Sequence, residues 1–245
     1  MNTFAEPWGD IILYAGFGFV ALSLLVTLFY FAQLASIGRR TEKYAFASKR
    51  ETKAFRSSGN IFAAGIAFFA FMGISQFVGD ILPFMYVFVA FFAIIISVAV
   101  GGALSAFTKY YYPFILEKRL NNIRFKKMKS PQGNVMRLLN EVEEDEYMTQ
   151  EMIDEEDALI ADYDIWLDEK TGEKVVEKYD ISNDQHVCEK CNFRTLSETN
   201  MEVTKEPTMT EPGAMVKQFQ CSYCGHKQIK EMKISALQDA SAAMA

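Results

Sequence analysis

Residues 81–107 read ILPFMYVFVAFFAIIISVAVGGALSAF, a run without a single charged side chain. About 20 apolar residues in a helix suffice to cross a bilayer, and this run is longer than that. A soluble-core helix of such length would keep a polar face, and this stretch has none. Toward the N-terminus, Ile61 to Gly79 and Ile11 to Ser36 have the same character. The sequence therefore predicts three transmembrane helices, at about 11–36, 61–79 and 81–107, within a membrane region 1–108. Beyond that region, toward the C-terminus, the chain turns polar and acidic. The expected fold class is an α-helical membrane anchor followed by a small cytoplasmic β-rich region.

The segment MNTFAEPWGD before the first run has no Lys or Arg, and the run is long for the roughly 7–15-residue apolar core of a signal peptide. A retained helix is expected. The linker after the first run carries Arg39, Arg40, Lys43, Lys49, Arg50, Lys53 and Arg56, and the segment after the third carries Lys109, Lys118, Arg119, Arg124, Lys126, Lys127 and Lys129. The other side offers only Glu6, Asp10 and Asp80. Basic residues stay on the cytoplasmic side. An integral membrane protein of bacterial inner-membrane type follows, with its N-terminus outside and its C-terminal region in the cytoplasm.

Asp80, in GDILP, reads as the carboxylate of a tight outer hairpin; the competing reading is a proton-relay acid. No Lys, Arg or His in the three runs offers it a partner. Ala93, Ser97, Gly101 and Ser105 recur every four residues and share one helix face, and Ala63, Ala67 and Ala70 form a shorter stripe. Small residues let helix backbones approach in lipid. The stripes serve either internal packing or docking of other integral-membrane subunits. Tyr110, Tyr111 and Tyr112 fall where an inner aromatic belt is expected.

From Glu141 to Asp164 the chain carries twelve acids and no base. It reads as a solvated acidic helix or linker, with Leu138, Leu139, Val142, Tyr147, Met152, Ile153, Leu159 and Ile160 able to line one side; a docking strip for a basic partner is the alternative. Acid at this density repels phosphate backbones, so nucleic acid is not an expected partner.

The four cysteines form two pairs, Cys188-Glu-Lys-Cys191 and Cys221-Ser-Tyr-Cys224, with residues 192–220 between them. A two-residue gap lets both thiolates of a pair reach one ion, and two pairs complete a tetrahedron. Disulfides would need an oxidising compartment, which the charge pattern does not provide. One structural Zn2+ held by Cys188, Cys191, Cys221 and Cys224 is the expected cofactor. Four thiolates leave no open position for a catalytic water. His186 and His226 read as neighbours rather than ligands. FRTLSETNMEVTKE, AMVKQFQC and HKQIKEMKI read as strands, EPTMTEPG as the hairpin tip, and residues 235–245 as a mobile tail. The expected zinc ribbon covers 186–234.

Trp166 to Tyr179, WLDEKTGEKVVEKY, matches Phe219 to Met232, FQCSYCGHKQIKEM, in ring, Gly and Lys positions. Upstream, Ser130-Pro-Gln-Gly133-Asn134 matches Cys188-Glu-Lys-Cys191-Asn192. A degenerate ribbon is therefore expected, starting within a basic juxtamembrane segment 109–140 and resuming at 165–180 after the acidic 141–164. Ser130, Gly133, Asp168 and Thr171 would stand at its ligand positions, and Tyr163, Ile165, Trp166, Val175 and Val176 would supply its core. Pro131, Asn134 to Leu139, EVEEDEYMTQEMIDEEDALIADYDIWL and HVCEKCNFRTL together resemble the cytoplasmic tail of TPM-domain membrane proteins. That tail has a CPxCG ribbon, an acidic stretch with DYDVW, and a CPKCGYRT ribbon. The likeness covers Lys129 to Ile234 and not the N-terminal half, where the TPM domain with its acidic metal site is missing. The enzymatic activity of that domain is therefore not implied.

The sequence contains no paired-carboxylate, nucleophile–base or phosphate-loop pattern. The expectation is a non-enzymatic subunit or adaptor of a larger membrane complex, with further contacts to cytoplasmic proteins and no small-molecule substrate. The resemblance implies instead a factor in membrane-protein assembly or quality control. A membrane-tethered nucleic-acid-binding regulator is disfavoured by the acidity.

Overall fold

A computed structural model describes residues 6–78, 82–181 and 185–234. Asp80, with its expected outer turn, and the expected tail 235–245 lie outside the described residues. The chain folds as two compact units: the residues up to Gly38 with Lys49–Leu116, and Arg39–Ser48 with those from Glu117 onward.

The first unit is helical. Helix α1 spans Glu6–Ser36, α2 Arg40–Val78 and α3 Tyr86–Tyr110, and all three are long and apolar enough to cross a membrane. All three helix starts differ from expectation, α1 beginning at Glu6 rather than about 11. The basic linker after the first run is helical from Arg40 onward, because residues 40–58 hold no Pro or Gly to stop a helix. Its first turns, Arg40–Ser48, belong to the second unit rather than to the membrane region. Helix α3 starts at Tyr86 behind a 3-10 turn over Pro83–Met85.

Close contacts between α1, α2 and α3 use small residues and hydroxyls. The Ser97 hydroxyl donates to the Ala63 carbonyl at 2.6 Å, and a Cβ at Gly101 would lie 3.3 Å from that of Ala63. The stripe on α3 thus packs on the chain's own α2, which settles the internal reading for Ser97 and Gly101; Ala93, in the same row, is buried. Between α1 and α2, Ser23, Thr27 and Ser58 join their hydroxyls at 2.8–2.9 Å. Helix α4, Tyr112–Arg124, follows directly. Tyr112 is buried: it and Tyr30 donate to the buried Glu51 carboxylate, each at 2.5 Å.

The second unit is built on two antiparallel sheets. The first has the order β1 (Arg137–Leu138), β2 (Ala161–Leu167), β3 (Lys174–Asp180). The second has the order β4 (His186–Val187), β5 (Arg194–Lys205), β6 (Gly213–Cys221), β7 (Lys227–Ile234), with strands and hairpin tip where alternation and turn residues place them.

The acidic segment is neither one helix nor a linker to Asp164. It breaks into α5 (Glu141–Glu144), a 3-10 turn and α6 (Gln150–Asp157), and β2 already begins at Ala161. Internal caps cause the breaks. Asn140 accepts from the Val142 and Glu143 amides, and the Glu143 side chain accepts from the Asn140 amide. Thr149 accepts from Met152 N–H and starts α6. The suggested apolar side does not form, since Leu138 pairs in β1 and Val142 is 80 % exposed.

Candidate metal centre and its cysteine-free counterpart

The turn before β5 presents Cys188 and Cys191, and the β6–β7 turn presents Cys221 and Cys224. All four sulfurs lie within 4.8 Å of one another, and they form a group that can hold a metal ion. Cys188–Cys224 and Cys191–Cys221 Sγ separations are 3.7 and 3.6 Å, well beyond a disulfide bond of about 2.05 Å. Cys221 Sγ receives the Tyr223 amide at 3.4 Å and the Cys224 amide at 3.5 Å, and lies 3.1 Å from the Thr195 hydroxyl. Burial pushes the Cys221 thiol up, but these donors outweigh it and bring its pKa down to about 6. Burial pushes the Cys191 thiol up to about 12. A negative sulfur is thus favoured at Cys221, and a thiolate is what cation ligation requires. His186 and His226 are outside the group; the His186 ring packs edge-on against Phe219 at 5.6 Å.

Leu159 is a contributor that the sequence did not reveal. It adopts φ 51°, unusual for a bulky residue, and packs against both apolar clusters of the second sheet. One cluster is Cys188, Leu196, Phe219 and Cys221; the other is Ala158, Met215 and Met232. Only its tertiary contacts mark it.

The β2–β3 turn repeats the β6–β7 turn bond for bond. Asp168 N–H donates to Glu173 O and Gly172 N–H to Asp168 O, as Cys221 N–H donates to His226 O and Gly225 N–H to Cys221 O. Gly172 and Gly225 have φ of 73° and 71°, a left-handed conformation that glycine adopts without strain. Even the side-chain bond recurs: the Lys170 amide donates to Asp168 Oδ1 at 3.0 Å, in the place of Tyr223 N–H on Cys221 Sγ. Leu167 pairs with Lys174 as Gln220 pairs with Lys227, which puts Trp166 and Tyr179 at the places of Phe219 and Met232. All four are buried.

The first turn needs a correction. Ser130 N–H bonds to Asn134 O, whereas Cys188 N–H bonds one residue farther on, to Phe193 O. The positive-φ residue is Gly133 in one and Asn192 in the other. Gly133 therefore stands for Asn192, not for Cys191, and the turn is one residue shorter. Ser130, Asp168 and Thr171 keep the other three positions. There the Asp168 carboxylate, 1 % exposed, takes the centre. The nearby Ser130 hydroxyl, the Asn134 amide (Nδ2 to Oδ2, 3.0 Å), the Lys170 N–H and Thr171 hold it well below the usual carboxylate range.

The core of this module also differs from expectation. Tyr163, Ile165 and Trp166 are buried as expected, but Val176 is 38 % exposed; Met136, Leu139 and Tyr179 complete the core. Its acids are not all solvated. Arg124, at the end of α4, grips Asp164 with Nε at 3.0 Å and Nη2 at 2.7 Å, and reaches Asp162 with Nη1 at 2.5 Å. Burial would lower the Arg124 pKa, but these carboxylates outweigh it and raise it. Its guanidinium lies 4.9 Å from the Tyr179 ring centre, and that of Arg40 lies 4.9 Å from Trp166. Arg40 also bonds to Arg124 O and to Glu177. The spacing of Asp162 and Asp164, two apart on a strand and so on one face, is the one sequence signal that could have shown this cluster.

No family model, curated protein or solved structure matches the chain.

Proposed function

We propose that the protein is a non-enzymatic integral-membrane subunit or adaptor, whose cytoplasmic part is a pair of ribbons that present contact surfaces. The observation that carries this is the repeat itself. Two modules share one turn geometry, and one of them keeps it with a buried carboxylate in place of a cysteine group. Shape kept while metal chemistry is lost points to a surface.

In the intact ribbon the ion is Zn2+. Tetrahedral Zn–S bonds of about 2.3 Å place sulfurs about 3.8 Å apart, which agrees with the observed 3.6 and 3.7 Å. Four thiolates close the shell, so the zinc is structural. The basic flanks favour a cytoplasmic C-terminal region.

Purification in mild detergent with mass spectrometry tests the role. Membrane proteins recovered in stoichiometric amount support the subunit reading. Many substoichiometric clients would replace it with the assembly or quality-control role that the likeness to TPM-domain tails suggests, and bound nucleic acid would defeat both.

A further inference from the structure

From Lys118 to Asn140 the chain has no acidic residue and seven basic ones, in the middle of an otherwise acidic unit. The structure divides the five from Arg124 onward in two. Arg124 and Arg137 are spent on carboxylates: Arg124 on Asp162 and Asp164, Arg137 on Glu143 at 2.7 Å and Glu169 at 2.6 Å. Lys126, Lys127 and Lys129 are all exposed, and among the described residues none of them forms an ion pair. The division follows the chemistry: the forked guanidinium suits bidentate pairs, whereas the ammonium is a mobile point charge. Beside these lysines Phe125 is 48 % exposed; one of its faces lies 5.2 Å from the Arg124 guanidinium.

We propose that Phe125, Lys126, Lys127 and Lys129 form a docking patch for the anionic headgroup surface of the membrane that holds this protein. Three charges and one ring match what such a surface binds: phosphates attract the lysines, and an aromatic side chain settles at headgroup depth. Connectivity favours this partner over a soluble one. The patch follows α4, whose 13 residues span about 20 Å, so the chain keeps the lysines within about 40 Å of the end of α3. Each lysine near an anionic surface contributes about five-fold in partitioning, so three together give about 100-fold, most of it lost at high salt. The acidic ribbons beyond would be repelled by the same surface, which leaves this patch as the point of contact. The inference rests on membrane residence and not on the adaptor role.

The test uses the full chain alone in nanodiscs of phosphatidylcholine, with or without phosphatidylglycerol, and an amine-acylating reagent read by peptide mass spectrometry. Labelling of Lys126, Lys127 and Lys129 should fall about ten-fold in the anionic discs and recover in high salt. Lys170 and Lys227, exposed on the two sheet modules, serve as controls and should not change. Phe125→Ser should weaken the protection. Equal labelling in both kinds of disc overturns the proposal. So does protection seen only in native membranes and lost in discs of either composition, which would assign the patch to a protein. Neither result bears on whether the ribbons serve an adaptor.

Discussion

The β1–β3 module and the β4–β7 module place the same second turn, with its left-handed glycine, and a buried ring at matching positions, but close them by different chemistry. In the second, four sulfurs converge on a volume suited to an ion. In the first, Asp168 accepts hydrogen bonds where Cys221 would ligate, and the partner turn is one residue shorter. A metal-ligand set needs every donor at bonding distance, so a one-residue change in one turn is disabling. A carboxylate with several acceptor positions needs only nearby donors. The turn scaffold is thus separable from the cysteine group. The first module is tied instead by Arg124 and Arg40, which pair with Asp162, Asp164 and Glu177 and cover Tyr179 and Trp166.

The largest contrast should appear on metal removal. Zinc contributes on the order of 10 kcal/mol to such modules. Chelation, or Cys221→Ser, should abolish amide-exchange protection in β4–β7 and leave β1–β3 protected. Elemental analysis should give one zinc per chain; two, or none, would remove the distinction between the modules.

The next effect tests what substitutes for metal. Arg124→Ala strands Asp164, which is buried, and should cost about 3 kcal/mol or more. Proteolysis or amide exchange should show the loss in β1–β3, with the zinc content unchanged. A loss confined to β4–β7 would refute this division of labour.

Asp168→Ala should loosen the turns at 130–134 and 168–173 without altering zinc content. Because the folded Asp168 pKa is depressed, its contribution is complete above the ordinary value of 3.8 and fades as the pH falls below it. Wild type should therefore lose protection of these turns in acid, and Asp168→Ala should show no such acid step. An identical acid profile in the two proteins would show that the carboxylate is not the clasp.

The smallest effect lies at Glu144. Burial, with the charges of Glu156, Glu141, Asp164 and Asp162, pushes its pKa up to about 7. The folded carboxyl stays neutral where the unfolded one ionises. Its contribution is then complete below the ordinary 4.5, declines as the pH rises toward 7 and stays lost above. Glu144→Gln should be modestly stabilising at pH 8, neutral at pH 4, and flatter in its Tm against pH between them. A variant less stable than wild type at pH 8 would contradict this.

Much of this was legible in the chain. Long charge-free runs mark the three membrane-length helices because no polar face interrupts them. Alternation and the EPTMTEP turn mark β5, β6 and β7, and pair spacing marks the cysteines as one group. What stayed hidden depends on partners distant in sequence. Nothing near Arg124 announces Asp164, far along the chain. The α3 stripe was ambiguous because a small face is small whichever helix covers it, and only Ala63 opposite Gly101 resolves it. The αL conformation of Leu159 is held by β6 and β7, which its own neighbours do not specify.

Local composition and spacing along one element were enough to reveal the long apolar helices, the four-cysteine group and the existence of a second, cysteine-free copy. Each of these is a property of residues close together in the chain. That Asp168 is buried and clasped by Asn134 and the Lys170 amide, that Gly133 answers to Asn192, and which acids are buried against arginine became visible only in the folded molecule. Those depend on hydrogen-bond register and on the desolvation of charges, and both are set by what the fold brings together.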